Sequence, residues 1–158
     1  MAKKKKSKNI LKSYGGFAVL VLTVATFTML FLTNVKYDFI AGITEVNGLS
    51  AVFTWKLTDI DMVLSGFNIL ALLAYVLPIG ALVLSLLFGK GKFINIIVLA
   101  CFVISAVFFF IIPATMPLTE IGKSTVALAD AKLGIGAILG GTFSVLSAVV
   151  TLLKILVK

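Results

Sequence analysis

The sequence predicts an all-α integral membrane protein: a four-transmembrane-helix bundle with N and C termini cytoplasmic and a small extracytoplasmic β-hairpin between helices 1 and 2. Three observations carry this. Of 158 residues 61% are hydrophobic, with a mean hydropathy of +1.20, whereas soluble domains hold roughly 45 to 50% apolar residues. Four runs approach the roughly 20 apolar residues that cross a hydrocarbon core about 30 Å thick. The 14 lysines lie unequally about those runs. A closed barrel would need strands of about 10 residues alternating apolar and polar, and the runs are continuous instead. A single membrane domain, 1–158, is expected, with spans at about 15–35, 66–88, 93–112 and 125–155, outer loops at 36–65 and 113–124, and an inner turn at 89–92.

The chain opens with Lys3, Lys4, Lys5, Lys6, Lys8 and Lys12, and the apolar run Phe17 to Leu32 follows. A signal peptide would show an h-region of about 7 to 15 residues and a small-residue cleavage site. This run is longer and no such site follows it, so it reads as an uncleaved first span, with the lysines holding the N-terminus inside. Lys3, Lys4, Lys5 and Lys6 could also contact anionic lipid. Thr23, Thr26 and Thr33 fall near one face, which suits either bonding back to the preceding turn or lining a pore.

The first outer loop carries Asp38, Glu45, Asp59 and Asp61 with Lys36 and Lys56. Two β-prone runs, Ile43 to Val46 and Leu49 to Trp55, flank Asn47–Gly48, the dipeptide that best supplies a type I′ turn. A hairpin turning at Asn47 and Gly48 is therefore expected. Tyr37, Phe53 and Trp55 suit the headgroup boundary, where aromatic rings sit half wet and half dry. Thr58 with Asp61 reads as a capping signal that starts the second helix; coordination of a divalent cation by these acids is the alternative.

Pro78 and Gly80 near the middle of the second span predict a kink, with Tyr75 placed to satisfy the carbonyl that Pro78 frees. Gly89–Lys90–Gly91–Lys92 is a tight inner turn without the spacing of a phosphate loop. The third span is almost wholly apolar, its Phe108–Phe109–Phe110 run pointing in several directions, and Pro113 and Pro117 are expected to end it. Ser124 then caps a fourth helix that begins above the membrane. Within that helix Gly136, Gly140, Ser144, Ser147, Ala148 and Thr151 recur at steps of three and four, forming one small-residue face for close helix packing, with Leu139 on the lipid side. Leu77 to Leu82 resembles Leu133 to Ile138, a weak sign of a duplicated two-helix unit.

Ten lysines fall in the segments assigned to the cytoplasm and four outside, and all six acids lie on the outer side. Four spans with a hairpin-bearing first outer loop and a shorter second one resemble the layout of the claudin-like tetraspans. The family's W-GLW-C-C loop pattern is not met, since Trp55 follows Gly48–Leu49 and the loop has no cysteine, so no residue or activity carries over.

There is no His, no Arg, and one cysteine, Cys101, which leaves no disulfide within the chain and no Cys/His metal cluster. No ionisable group is expected inside a span, which removes the usual mark of a coupled transporter. No catalytic, cofactor or metal site is expected, and the grouping of lysines at span ends argues against nucleic acid. The function expected is a non-enzymatic interaction, assembly or accessory subunit of a cell envelope membrane, bound to the lipid bilayer and to itself or another membrane protein. The alternative is an oligomeric channel or an uncoupled carrier for a small or apolar solute. Lysine without arginine suggests the coding bias of an AT-rich bacterium, hence a multi-pass protein of the bacterial plasma (cytoplasmic) membrane.

Overall fold

The structure, a computed structural model, describes residues 2–39, 42–57, 62–88, 91–127 and 129–157, with backbone alone for 2–13, 39, 42, 57, 62 and 125. It is 73% helical. Four helices are long and apolar enough to cross a membrane: α1 (Ala2–Thr28, extended by a 3₁₀ turn at Met29–Phe31), α3 (Ile69–Phe88), α4 (Lys92–Thr115) and α6 (Ile135–Leu156). Among the described residues, two shorter helices, α2 (Gly48–Val52) and α5 (Glu120–Val126), and five strands lie between them.

The first helix stops earlier than the expected Val35. Leu32 turns extended, with φ −93° and ψ 165°, and the chain continues as strand β1 (Thr33–Phe39), which pairs antiparallel with β2 (Gly42–Asn47) on one side and β5 (Asp130–Leu133) on the other. Backbone groups that would have continued the helix are claimed from afar: Gly48 N–H donates to Leu32 O at 3.1 Å and Gly134 N–H to Asn34 O at 2.8 Å. Val35 and Tyr37 thereby point into a core, while Lys36 and Asp38 stay on the outer face.

The expected turn at Asn47–Gly48 is corrected. The strands that pair are β1 and β2, and the link between them, residues 40–41, lies outside the described residues. Asn47 closes β2 and caps α2 instead: its backbone is extended (φ −73°, ψ 167°) and its side-chain oxygen accepts from Ser50 N–H at 2.8 Å. An Asn-Gly pair serves a helix start as readily as a hairpin, because Asn is among the strongest N-caps. Strands β3 (Trp55–Leu57) and β4 (Met62–Ser65) then form a second, two-stranded sheet.

The Thr58–Asp61 capping signal and its cation alternative lie outside the described residues. The helix assigned to that signal is displaced in any case, since Met62–Ser65 is a strand and α3 starts at Ile69. Its cap is Asn68, whose side-chain oxygen accepts from Leu70 and Ala71 N–H, both at 3.1 Å. α4 runs through Pro113 to Thr115. A proline this close to the end forfeits one backbone bond, and Thr115 Oγ1 covers two carbonyls of the same turn, Ile111 O at 3.1 Å and Ile112 O at 3.3 Å.

The fourth span also starts later than expected. Ser124, expected to cap that span, lies inside α5, whose cap is Thr119, accepting from Gly122 N–H at 3.0 Å. After α5 the chain pairs as β5 and breaks at the extended Gly134 (φ −81°, ψ 164°) before α6. A Cβ at Gly134 would lie 2.6 Å from the Thr33 carbonyl carbon, so the two backbones cross in contact.

Within the bundle α6 packs against α4 and α1, and α4 against α3. One core lies beneath the sheets, where Val35, Val46, Trp55 and Leu64 meet Ala71, Phe109 and Ala137; another lies deeper, around Val19, Ala81, Val98, Phe102 and Ala148.

Candidate functional site

Polar groups run through the inside of this bundle, and α6 brings them together. Gly136, Gly140, Ser144, Ser147, Ala148 and Thr151 are all buried, and they share one face because the helix repeats every 3.6 residues. The absence of side chains at the upper end lets neighbours in: a Cβ at Gly140 would sit 2.7 Å from Phe109 Cε1, and one at Gly136 2.9 Å from the Met29 carbonyl oxygen. Leu139, expected on the lipid side, is half-buried, and the exposed side of α6 passes through Ile138, Val145, Leu146 and Val149.

Mid-bundle, three helices are tied by hydroxyls. Pro78 has no N–H for the Ala74 carbonyl one turn earlier, and that carbonyl accepts from Ser105 Oγ on α4 at 2.7 Å. Ser105 Oγ also meets Ser144 Oγ on α6 at 3.2 Å. Tyr75, the expected partner of that carbonyl, goes elsewhere: its hydroxyl accepts from Asn34 Nδ2 at the top of the bundle. There Gly48 and Gly136 close on the same pair, a Cβ at Gly48 lying 2.6 Å from Tyr75 Oη and one at Gly136 2.7 Å from Asn34 Oδ1. Asn34 and Tyr75 thus pin the sheet to the helices, with the Tyr75 ring edge-on to Phe109 at 4.8 Å.

The threonines of α1 divide. Thr23 and Thr26 are buried, and Thr26 Oγ1 bonds back to Leu22 O at 2.8 Å. Thr33 leaves the helix for β1, where its hydroxyl donates to Glu45 Oε2 at 2.7 Å. The three therefore do not form one stripe.

The aromatics placed at the headgroup boundary divide as well. Tyr37 and Trp55 are 2% and 5% exposed and stack face to face, centroids 5.0 Å apart, so they are core residues of the cap rather than half-wet anchors. Tyr37 on β1 and Trp55 on β3 belong to separate sheets, and their stacking is a contact between those sheets that a single run of sequence does not display. Burial pushes the Tyr37 phenol above its ordinary value. Phe53 is exposed, tilted against Phe67 at 6.3 Å. On the outer face of the sheet Lys36 pairs with Glu45 at 2.7 Å and Lys132 with Asp38. The Lys36 ammonium and the Thr33 hydroxyl hold the Glu45 carboxyl below its usual range, and the Asp38 carboxylate holds the Lys132 ammonium above its own.

Lys3, Lys4, Lys5 and Lys6 belong to α1, and their side chains lie outside the description. Among the described residues no group of three or more His, Cys, Asp or Glu could hold a metal ion. Sequence reasoning missed Asn34, Asn68 and the bond from Ser105 to Ala74 O. Pro78 was legible as a bond-breaker, but nothing in the sequence placed Ser105 beside the carbonyl it frees.

Among the described residues, the helices define a protein with four helices long and apolar enough to span a membrane. No protein-family model matches the chain, and no curated protein or solved structure matches it.

Proposed function

We propose that this chain is a non-enzymatic interaction, assembly or accessory subunit of a bacterial cytoplasmic membrane, its termini and lysine-rich end inside and its sheets outside. The observation that carries the reading is the filled interior: Phe102, Phe109 and Ser144 are at 0% exposure, and Ser105 bonds across helices to Ala74 O and Ser144. Binding would then fall to the outside of the molecule. Strand β5 joins the second outer loop to the first, which makes the cap a stiff platform for recognition.

A channel or uncoupled carrier remains the competing reading, and oligomeric mass in detergent with conductance in a planar bilayer separates the two. A scaffold gives defined homo- or hetero-oligomers and no conductance above the bare bilayer. Reproducible conductance that changes in Thr23→Val would establish the channel and overturn the proposal.

A further inference from the structure

Thr23 on α1 and Ser147 on α6 are 2% and 0% exposed, and among the described residues neither hydroxyl has a hydrogen-bond partner. Both lie midway along apolar helices. In such places a threonine or serine ordinarily bonds back to the carbonyl one turn earlier, as Thr26 does to Leu22 O and Thr151 to Ser147 O. These two do not, although a buried polar group left unpaired is costly and therefore rare.

The helices bring the two hydroxyls toward one place. α1 and α6 pack antiparallel: a Cβ on Gly15 would lie 3.9 Å from Val150 Cγ1, and one on Gly136 2.9 Å from the Met29 carbonyl oxygen. Those two crossings put Thr23 about level with Ser144, and Ser147 within about one turn, ~5.4 Å, of the same depth. Ser147 stands about three turns beyond Gly136 and so on the side of α6 that meets α1. Thr23 turns inward, since Leu20, Val21 and Val24 around it are the exposed residues of α1.

An acceptor lies beside them. Ser105 gives its one hydroxyl proton to Ala74 O, so in the 3.2 Å contact between the two serines Ser144 is the donor. Ser144 Oγ thereby keeps a lone pair for a further donor. The occupant that matches must accept from hydroxyl protons, donate to Ser144 and carry no charge, because the sequence puts no Asp, Glu or Lys mid-span and an uncompensated ion is costly there. It must also be small, with Val19, Phe102 and Ala148 packed together in the deeper core. Water fits: it makes two to four bonds in a buried polar site and, at about 2.8 Å from each partner, joins oxygens up to about 5.6 Å apart.

We propose that Thr23, Ser147 and Ser144 bind one internal water at the seam of α1 and α6. It accepts from Thr23 and Ser147 and donates to Ser144, so the hydroxyl chain that ties α3, α4 and α6 continues to α1.

Solid-state NMR of the full chain in liposomes reads the water directly, as cross-peaks from water to the side-chain protons of Thr23 and Ser147. Thermal unfolding in detergent reads the link. Thr23→Val and Ser147→Ala each remove one partner and lower the melting temperature by a few degrees, and the double variant falls no further than the worse single one, because both lose the same water. Thr23→Ser keeps a hydroxyl and keeps the cross-peaks. Absence of water cross-peaks at both residues overturns the proposal, and that measurement needs no variant to fold. Melting temperatures that hold or rise in both single variants overturn it too, as trading an unpaired hydroxyl for an apolar group would give. Losses that add in the double variant mean two unrelated bonds and no shared water. A melting temperature that drops when choline replaces sodium assigns the site to a cation and overturns the water.

Discussion

Ser105 donates its hydroxyl proton to the Ala74 carbonyl on the neighbouring helix at 2.7 Å, the acceptor that Pro78 leaves without its helical donor. One helix's defect is thereby the other helix's binding point. Ser105→Ala removes the donor from an oxygen buried in hydrocarbon, and a cost of about 1 kcal/mol is expected, inside the range of interhelical bonds measured in membranes. Pro78→Ala restores an N–H to that carbonyl, so Ser105→Ala should cost clearly less in the Pro78→Ala background. Unfolding free energies of the four chains in this double-mutant cycle check the coupling; additive effects would mean that the bond does no more than fill space.

Gly140→Leu should be far more damaging than Leu146→Ala, although the first adds apolar surface and the second removes it. A lipid-facing leucine such as Leu146, 45% exposed, has lipid for company whether or not the bundle forms. At Gly140 any Cβ runs into the Phe109 ring, itself fully buried against Tyr75, so the α4–α6 contact opens along its length. Melting temperature in detergent decides this, with partial recovery of Gly140→Ala expected from Phe109→Leu. A Gly140→Leu protein that melts at or above the wild-type temperature would remove α6 from the centre of packing.

Asn47 and Gly48 should respond to substitution for different reasons. Asn47→Ala deletes a helix cap on an exposed side chain and should cost about 1 kcal/mol. Gly48→Val is worse, because a Cβ there would meet the Leu30 carbonyl oxygen and Tyr75 Oη, each at 2.6 Å, and would part the sheet from the bundle. Limited proteolysis of the sheet-bearing loops, with insertion checked by membrane fractionation, reads both. Equal protease resistance in the two variants would show that the crossing at Gly48 has slack.

The bundle was legible because hydropathy over about 20 residues needs no partner to be read, and the stripe from Gly136 to Thr151 was legible because helical periodicity alone places those residues on one face. Element ends were the weak point. α1 stops where Leu32 and Asn34 supply acceptors to Gly48 and Gly134, and α6 starts where Gly134 crosses Thr33; both are long-range contacts of backbone with backbone, invisible to local propensity. Asn47–Gly48 misled for the opposite reason, since the same two residues fit a turn and a helix cap equally well and only the pairing of β1 with β2 chooses between them. Tyr37 and Trp55 show the limit for the site: each reads as an amphipathic ring at a boundary until the other is known to cover its face.

The charged outer face of the sheet gives the cap a stability that depends on pH at both ends of the scale, and the single tryptophan, Trp55, reports it. Glu45 is held below its ordinary pKa by the Lys36 ammonium and the Thr33 hydroxyl. Its folded form therefore binds protons less readily than the unfolded chain, and its contribution is present above the unfolded value of about 4.3 and disappears as pH falls through the lower folded value. Lys132 is raised by Asp38, so its contribution is present below the unfolded value of about 10.4 and lost only as pH climbs through the higher folded one. Between these limits Trp55 emission, governed by its stacking on Tyr37, should stay constant, then shift as the sheet loosens in acid. Glu45→Gln keeps the shape of the side chain and removes the charge. It should lower cap stability at neutral pH and flatten the acid limb while leaving the alkaline limb unchanged. An acid limb as steep in Glu45→Gln as in the wild type would remove Glu45 as its cause.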